Sequence, residues 1–189
     1  MSEVVSRIDK AVDMMAGVVA VLGDDAWERP TPCRDWDVRT ELNHVVGGAR
    51  IFAAELTGTE AGAAHEADWL GEDPHGAFAL AARLDRAAWA RPDALDGTVR
   101  LGFGTVPAPM AALVHLLELV THGADLALAV GRPELIDEQA CADLLADLDG
   151  MDFERFRGPG LFGPAIPAPG DAPAHRRLLA FLGRDLPAG

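Results

Sequence analysis

Apolar residues recur every three or four positions along most of this chain, and stretches rich in glycine and proline separate the periodic segments. This spacing is typical of amphipathic helices that bury one face. It predicts four long helices, over residues 4–22, 38–56, 74–90 and 109–130. Asp37 is the predicted N-cap of the second helix, because its side chain can accept a hydrogen bond from the first turn.

Shorter elements complete the predicted fold. Residues 98–109 form an extended connector that suits a small hairpin, and a short helix is predicted near 137–148. A proline- and glycine-rich loop follows over 157–174, and a last helical piece over 175–184. Four long helices with little strand signal predict an all-α, up-and-down four-helix bundle. We divide the chain into a bundle, 1–152, and a C-terminal extension packed on it, 153–189, anchored by Phe162, Ile166, Leu178 and Phe181.

The fourth predicted helix carries a narrow polar strip within an otherwise apolar segment. On a helical wheel the strip contains His115, Glu118, His122 and Asp125. A solvated surface face is the ordinary explanation for such a strip. However, residues 108–131 contain no lysine or arginine, and apolar side chains border the strip. Both observations favour a helix that is buried nearly all round.

Buried carboxylates and imidazoles need partners, since an unpaired one costs several kcal/mol. A divalent metal ion is one such partner. Glu118 and His122 are one helical turn apart, so both side chains can reach a single ion, and zinc accepts this pair of ligand types. Because a glutamate and a histidine at this spacing are common in proteins, a solvated surface face remains an alternative explanation of the strip.

The second predicted helix offers a further ligand. His44 lies off the main apolar stripe, and Gly47 and Gly48 follow it one turn later. Two glycines within a helix indicate a cavity, or the close approach of a ligand or another part of the chain. The alternative is a surface histidine beside a packing notch, and the nearby Glu41 and Glu55 suit that alternative.

Charge and composition exclude several classes of function. The net charge of −14 argues against nucleic acid and anionic membranes as partners, because both require a basic surface. No signal peptide is evident, and no apolar run approaches the roughly 18 residues of a membrane span. The two cysteines form no disulfide framework, so we expect a reduced, cytoplasmic protein. Cys33 is interpreted as an ordinary buried or loop cysteine, and a homodimer is left open.

Four segments carry a family resemblance that extends over almost the whole chain. They are "WERPTPCRDWDVRTELNHVVGG" (27–48), "ADWLGEDP" (67–74), "ELVTHGADLALAVGRP" (118–133) and "RLLAFLGRD" (177–185). Together they resemble the actinobacterial type of the DinB-like metal-binding family, whose members include the mycothiol-dependent maleylpyruvate isomerases. Ala124 departs from the family pattern, which usually has tryptophan there. About 40 residues follow the bundle, so we expect no counterpart of the isomerases' C-terminal domain.

The resemblance implies a DinB-like bundle with one divalent metal ion, usually zinc, bound by His44, Glu118 and His122. His115, Asp125, Gly47 and Gly48 are then expected to support the ligands or line the pocket, with Asp125 orienting His122. The implied activity is a mycothiol-dependent S-transferase or isomerase that joins a low-molecular-weight thiol to a small electrophile. The alternatives are a non-catalytic protein that binds a metal or small ligand, and a hydrolase that uses zinc-bound water.

Overall fold

The structure is a computed structural model that describes residues 2–158 and 162–186. Its described part is mostly helical, as the hydrophobic spacing predicts. The six α-helices are α1 (Glu3–Val19), α2 (Val38–Thr57), α3 (Pro74–Trp89), α4 (Ala108–Ala129), α5 (Glu138–Asp149) and α6 (Ala174–Phe181). Two strands, β1 (Thr98–Leu101) and β2 (Gly104–Pro107), and two short 3-10 turns, Pro133–Leu135 and Phe153–Phe156, complete the list.

Side-chain caps begin four of these helices where the sequence supplies an acceptor. Ser2, Asp37, Asp73 and Asp137 each accept a hydrogen bond from a backbone N–H in the first turn of α1, α2, α3 and α5. Such caps satisfy donors that otherwise have no partner inside the helix. The predicted cap at Asp37 is therefore confirmed. The first helix ends at Val19, before the predicted end at residue 22.

The order in which the long helices pack differs from the predicted order. α1 packs mainly against α4 and α3, whereas α2 packs mainly against α3 and α4. A simple up-and-down bundle would instead place α1 beside α2 and α3 beside α4. The long connections over 20–37 and 90–107 allow the chain to cross to a more distant partner, and hydrophobic spacing does not encode which partner that is.

The central helix is α4, which has buried residues on almost every side. By length and composition α4 could cross a membrane, but 78% of its most apolar stretch is buried inside the protein. Its central place in the core accounts for this composition. Gly123 lies where α4 meets α1, and a Cβ there would come within 2.5 Å of the Met14 methyl group.

The predicted extended connector is an antiparallel hairpin that leads directly into α4. β1 pairs with β2 from Thr98 opposite Pro107 to Leu101 opposite Gly104. Val99 is buried against the helices, and the remaining residues of both strands are at least partly exposed. The hairpin is the one sheet that the described residues contain, so it is an addition to a helical core.

The C-terminal segment, which begins at residue 137, contains the two predicted short helices, α5 and α6, which pack against each other. α6 also contacts α4. Among the predicted anchors, Leu178 is fully buried, and the rings of Phe162 and Phe181 lie 5.1 and 5.2 Å from that of Phe153. Residues 159–161 of the predicted loop and 187–189 of the extension lie outside the described residues. The division into two domains stays a prediction.

The two glycines of α2 differ in what surrounds them. A Cβ on Gly47 would lie 2.6 Å from the Trp69 indole nitrogen and 3.1 Å from the His65 ring, whereas the nearest atom to a Cβ on Gly48 is 3.7 Å away. The notch at Gly47 is therefore filled by another part of the chain. Of the two sequence-based explanations, the close approach holds at Gly47, and that position has no open cavity.

We predict opposite stability changes for alanine at these two positions. Gly47→Ala should lower the free energy of unfolding by about 1–3 kcal/mol, because the Trp69 ring must move out of a packed position. Gly48→Ala should raise it by up to about 1 kcal/mol, because alanine favours the helix and meets only ordinary contacts. Urea denaturation of both variants measures the difference. Equal shifts in the same direction would contradict the packing described for Gly47.

Candidate metal centre

Three of the predicted site residues converge between α2 and α4. The His44 Nε2 atom lies 2.8 Å from Glu118 Oε2, and the His122 Nε2 atom lies 3.2 Å from the same oxygen. One ligand atom from each residue lies within 4.8 Å of the others. The structure thus brings together the three residues that the family resemblance implies as ligands.

Helix packing explains this convergence. Glu118 and His122 are one turn apart on α4 and point the same way, and α2 packs against α4 with His44 facing them. The site is set into the protein but is open at one side. The exposed fractions of the side chains are 26% for His44, 31% for Glu118 and 7% for His122.

Glu41 is part of this site, although sequence reasoning treated it as support for a surface position. Its carboxylate is fully buried, and Oε1 accepts a hydrogen bond from His122 Nδ1 at 2.6 Å. An ionised carboxylate is only an acceptor, so His122 carries a proton on Nδ1 and presents Nε2 to His44 and Glu118. The one available signal was position, since Glu41 and His44 are three residues apart and share a face of α2.

Asp125 lies next to this pair but has a different partner. Its Oδ2 atom is 3.9 Å from His122 Nδ1, beyond hydrogen-bond distance, and accepts a hydrogen bond from Arg184 Nε at 3.1 Å. The hydrogen bond to His122 that we expected from Asp125 is thus made by Glu41. Sequence reasoning also missed Arg184, which comes from the segment after α6.

His115 lies in a separate buried cluster. Its Nε2 atom is 2.9 Å from Asp85 Oδ1 on α3, at ion-pair distance but without hydrogen-bond geometry. Its ring packs against Phe52 and Trp89. His115 precedes His122 by two turns, which separates the two backbones by about 10 Å along α4. The expectation that His115 supports the predicted ligands is therefore not met by its contacts.

Aromatic rings pack against the two histidines of the site. The Trp36 ring lies 4.8 Å from the His44 ring and stacks on the His122 ring at 5.6 Å, and the His65 ring lies 4.6 Å from the His44 ring. A tight turn holds Trp36 in place, with its backbone N–H bonded to the Cys33 carbonyl and Asp35 at φ 67°. Neither ring was predicted, because both come from loops without periodicity.

The environment shifts the pKa values of the three converging side chains. Burial lowers the pKa of His44. Burial also opposes charge on His122, but hydrogen bonds to Glu118 and Glu41 outweigh it and raise its pKa to about 10. Burial likewise opposes charge on Glu118, yet the hydrogen bonds from His122 and His44 hold its pKa well below the usual value. These contacts therefore favour the imidazolium form of His122, which lies between the carboxylates of Glu118 and Glu41.

Cys33 lies close to Asp125 and Arg184, but it supplies no nucleophile. Burial raises the pKa of its thiol to about 12, so the thiol is protonated at neutral pH. A reactive cysteine requires thiolate character. The geometry thus agrees with the interpretation of Cys33 as an ordinary, partly buried cysteine.

Comparisons with known proteins bear on the same region. Residues 8–127 match the family model of the mycothiol maleylpyruvate isomerase N-terminal domain. Two similar proteins are uncharacterized proteins of Mycobacterium tuberculosis, from strains CDC 1551 and H37Rv. Each is 31% identical to this chain over 176 residues, which is 93% of this chain and 94% of the relative. No solved structure matches. The matched region contains His44, Glu118 and His122.

The pKa shifts predict a protonated His122 in the metal-free protein. NMR of the imidazole nitrogens should show both of its nitrogens protonated at pH 8, with the proton lost only near pH 10, whereas His44 should be neutral at pH 8. Glu41→Gln should lower the pKa of His122, since it removes an anionic acceptor. Glu55→Gln, on the same helix but paired with Arg100, is the control. A His122 pKa at or below 6.5 in the wild type would contradict the described contacts.

Proposed function

Because this chain belongs to the family of the mycothiol maleylpyruvate isomerase N-terminal domain, we propose that it is a metal- and thiol-dependent S-transferase or isomerase. The proposed metal is zinc or another divalent ion, and the proposed thiol is mycothiol. The proposed second substrate is a small electrophile. The observation that carries this proposal is the convergence of His44, Glu118 and His122 on one point between α2 and α4.

The three side chains fit a divalent ion by their chemistry. Two imidazole nitrogens and one carboxylate oxygen form a donor set that zinc commonly binds in catalytic sites, where a fourth position stays open. Glu118 Oε2 accepts a hydrogen bond from His44 Nε2 and lies at ion-pair distance from His122 Nε2. The ligating nitrogens must be free of protons when they bind a metal ion. Glu41 would keep the Nδ1 proton of His122 and so direct Nε2 toward the ion.

A bound divalent ion lowers the pKa of a thiol and so supplies thiolate at neutral pH. Neither cysteine offers such a thiolate, because burial raises the pKa of both Cys33 and Cys141 to about 12. The rings of Trp36 and His65 border the open side and can exclude water from the thiol and the electrophile. Side chains of this site would thus bind and orient two small molecules, and proximity would provide much of the rate acceleration.

The covalent steps of such an isomerisation are simple. The thiolate adds to one alkene carbon of a conjugated cis-alkene, and the π electrons move to the adjacent carbonyl. Rotation about the resulting single bond and loss of the thiolate give the trans-alkene and return the thiol. In an S-transferase, a leaving group departs or a proton adds, and the thioether remains as product. A cytoplasmic location and a homodimer stay predictions.

We predict that the metal content depends on the converging histidines. His44→Ala and His122→Ala should each lose most of the bound metal, because two ligands bind a divalent ion much more weakly than three. His75→Ala is the matched control, since His75 is exposed on α3 and its ring contacts Trp27. Elemental analysis of the purified proteins gives the metal per chain. If both ligand variants keep a full equivalent, the assignment of the ligands is wrong.

We also predict that turnover requires a thiol. The zinc-loaded protein should consume mycothiol, or isomerise a conjugated cis-alkene only when mycothiol is present, in assays with a panel of electrophiles. His122→Ala is the control for reaction in solution. Neither thiol consumption nor isomerisation at full metal occupancy would refute the proposal. Turnover without thiol would instead indicate a zinc hydrolase, and saturable ligand binding without turnover a binding protein.

A further inference from the structure

A second polar cluster lies behind His122, on the side away from His44. It contains the fully buried carboxylates of Glu41 and Asp125, together with Cys33 and the Nδ1 edge of His122. One ligand atom from each of these four residues lies within 4.8 Å of the others, so the group resembles a metal site. Two buried carboxylates this close favour either a shared proton or a cation between or beside them.

Arg184 supplies that cation. Its Nε atom donates to Asp125 Oδ2 at 3.1 Å, and its Nη2 atom lies 3.9 Å from the Cys33 sulfur. The side chain is only 9% exposed, and its guanidinium lies 6.0 Å from the centre of the Phe162 ring. A guanidinium cannot lose its proton in a protein, so this positive charge is permanent.

The turn after α6 places Arg184 in the cluster. Gly183 has φ 87°, and the N–H of Arg184 bonds back to the Leu179 carbonyl, which is the pattern of a Schellman helix end. Gly183 also packs directly on Gly163, where a Cβ would lie 2.8 Å from the Gly163 Cα. Both the backbone angle and the close contact favour glycine, so the position of Arg184 is fixed by the fold.

Building on the proposed metal centre, we propose that Arg184 is the resident cation of this second cluster and a positioning residue for His122. It holds Asp125 in place beside Glu41, and Glu41 accepts the hydrogen bond from His122 Nδ1. His122 then presents Nε2 to the metal. The second cluster binds the guanidinium in place of a second metal ion, and the protein binds one metal ion per chain.

Electrostatic repulsion supports this assignment. A second divalent ion in this cluster would lie against the Arg184 guanidinium, which is unfavourable in a buried site. Arg184 also lies beyond the matched region 8–127, so the C-terminal segment completes the site.

The test measures zinc binding to the full-length protein and its variants. Arg184→Met should raise the Kd for zinc about 10- to 100-fold, the usual effect of losing a group that orients a ligand. Arg184→Lys should lose less affinity, because it keeps the charge. Asp125→Asn should also weaken binding, because Arg184 acts through this carboxylate. Chelator competition gives the Kd, and the visible spectrum of the cobalt-substituted protein reports on coordination.

Arg157→Met is the matched control for a purely structural effect. Arg157 belongs to the same C-terminal segment, donates to the carbonyls of Gly163 and Phe181, and packs on the rings of Phe153 and Phe181. It contacts neither Asp125 nor Glu41 among its described interactions. Its loss should lower the melting temperature, but the zinc Kd and the cobalt spectrum should stay as in the wild type.

Each outcome decides the inference. It is overturned if Arg184→Met binds zinc within twofold of the wild type with the same cobalt spectrum, or if the wild type binds two ions per chain. Should Arg184→Met not fold, a wild-type Kd for Asp125→Asn overturns it equally. These results leave the proposed function intact. By contrast, a wild-type protein that binds no divalent metal contradicts the proposed function itself, and this inference fails with it.

Discussion

The burial of ionisable side chains between α2 and α4 constrains the rest of the structure. Glu41 from α2 is fully buried, and His122 from α4 is nearly so. Burial of either charged side chain without a partner would destabilise the fold. Their mutual hydrogen bond fixes the rotation of one helix relative to the other. The same contact places His44 opposite Glu118. The packing of two helices and the formation of a polar site are thus one event, because the apolar residues around them cannot pack without also enclosing these charges.

The consequences of that burial extend to the end of the chain. Asp125, one turn after His122, is also fully buried and needs its own partner. That partner is Arg184, which follows α6. The packing of α5 on α6 and the close contact of Gly163 with Gly183 hold this part of the chain in position. The polar site, whose other side chains lie within the first 127 residues, therefore also includes Arg184 from the C-terminal segment. The buried side chains of Leu178, Leu179 and Leu182 also hold this segment against the core, although its sequence is rich in glycine and proline.

The features that could be predicted from the sequence are those that follow from hydrophobic periodicity or from the lack of lysine and arginine in one helix. Helix positions followed from the apolar repeat, and the absence of lysine and arginine from α4 indicated that its polar strip is buried. His44, Glu118 and His122 were implied by a resemblance, and the structure brings them together. Gly47 and Gly48 looked equivalent in sequence, and only the path of the loop that carries Trp69 distinguishes them. His115 was placed on the same strip, but it lies two helical turns before His122. Its nearest charged neighbour is Asp85.

What the sequence did not predict depends on contacts between distant segments. Glu41 looks like a surface residue until α4 lies against it, and Trp36 belongs to a loop whose course no local pattern encodes. Arg184 was predicted to lie in the last helical piece, but that helix ends at Phe181. The order in which the helices pack has the same origin, since hydrophobic faces specify that a helix is buried but not against which partner. These residues share one property: each satisfies a need created by another segment, a donor for a carboxylate or a cover for an imidazole. A buried charge in a predicted helix therefore indicates a partner elsewhere in the chain, and in this protein the other helices, the loops and the C-terminal segment supply such partners.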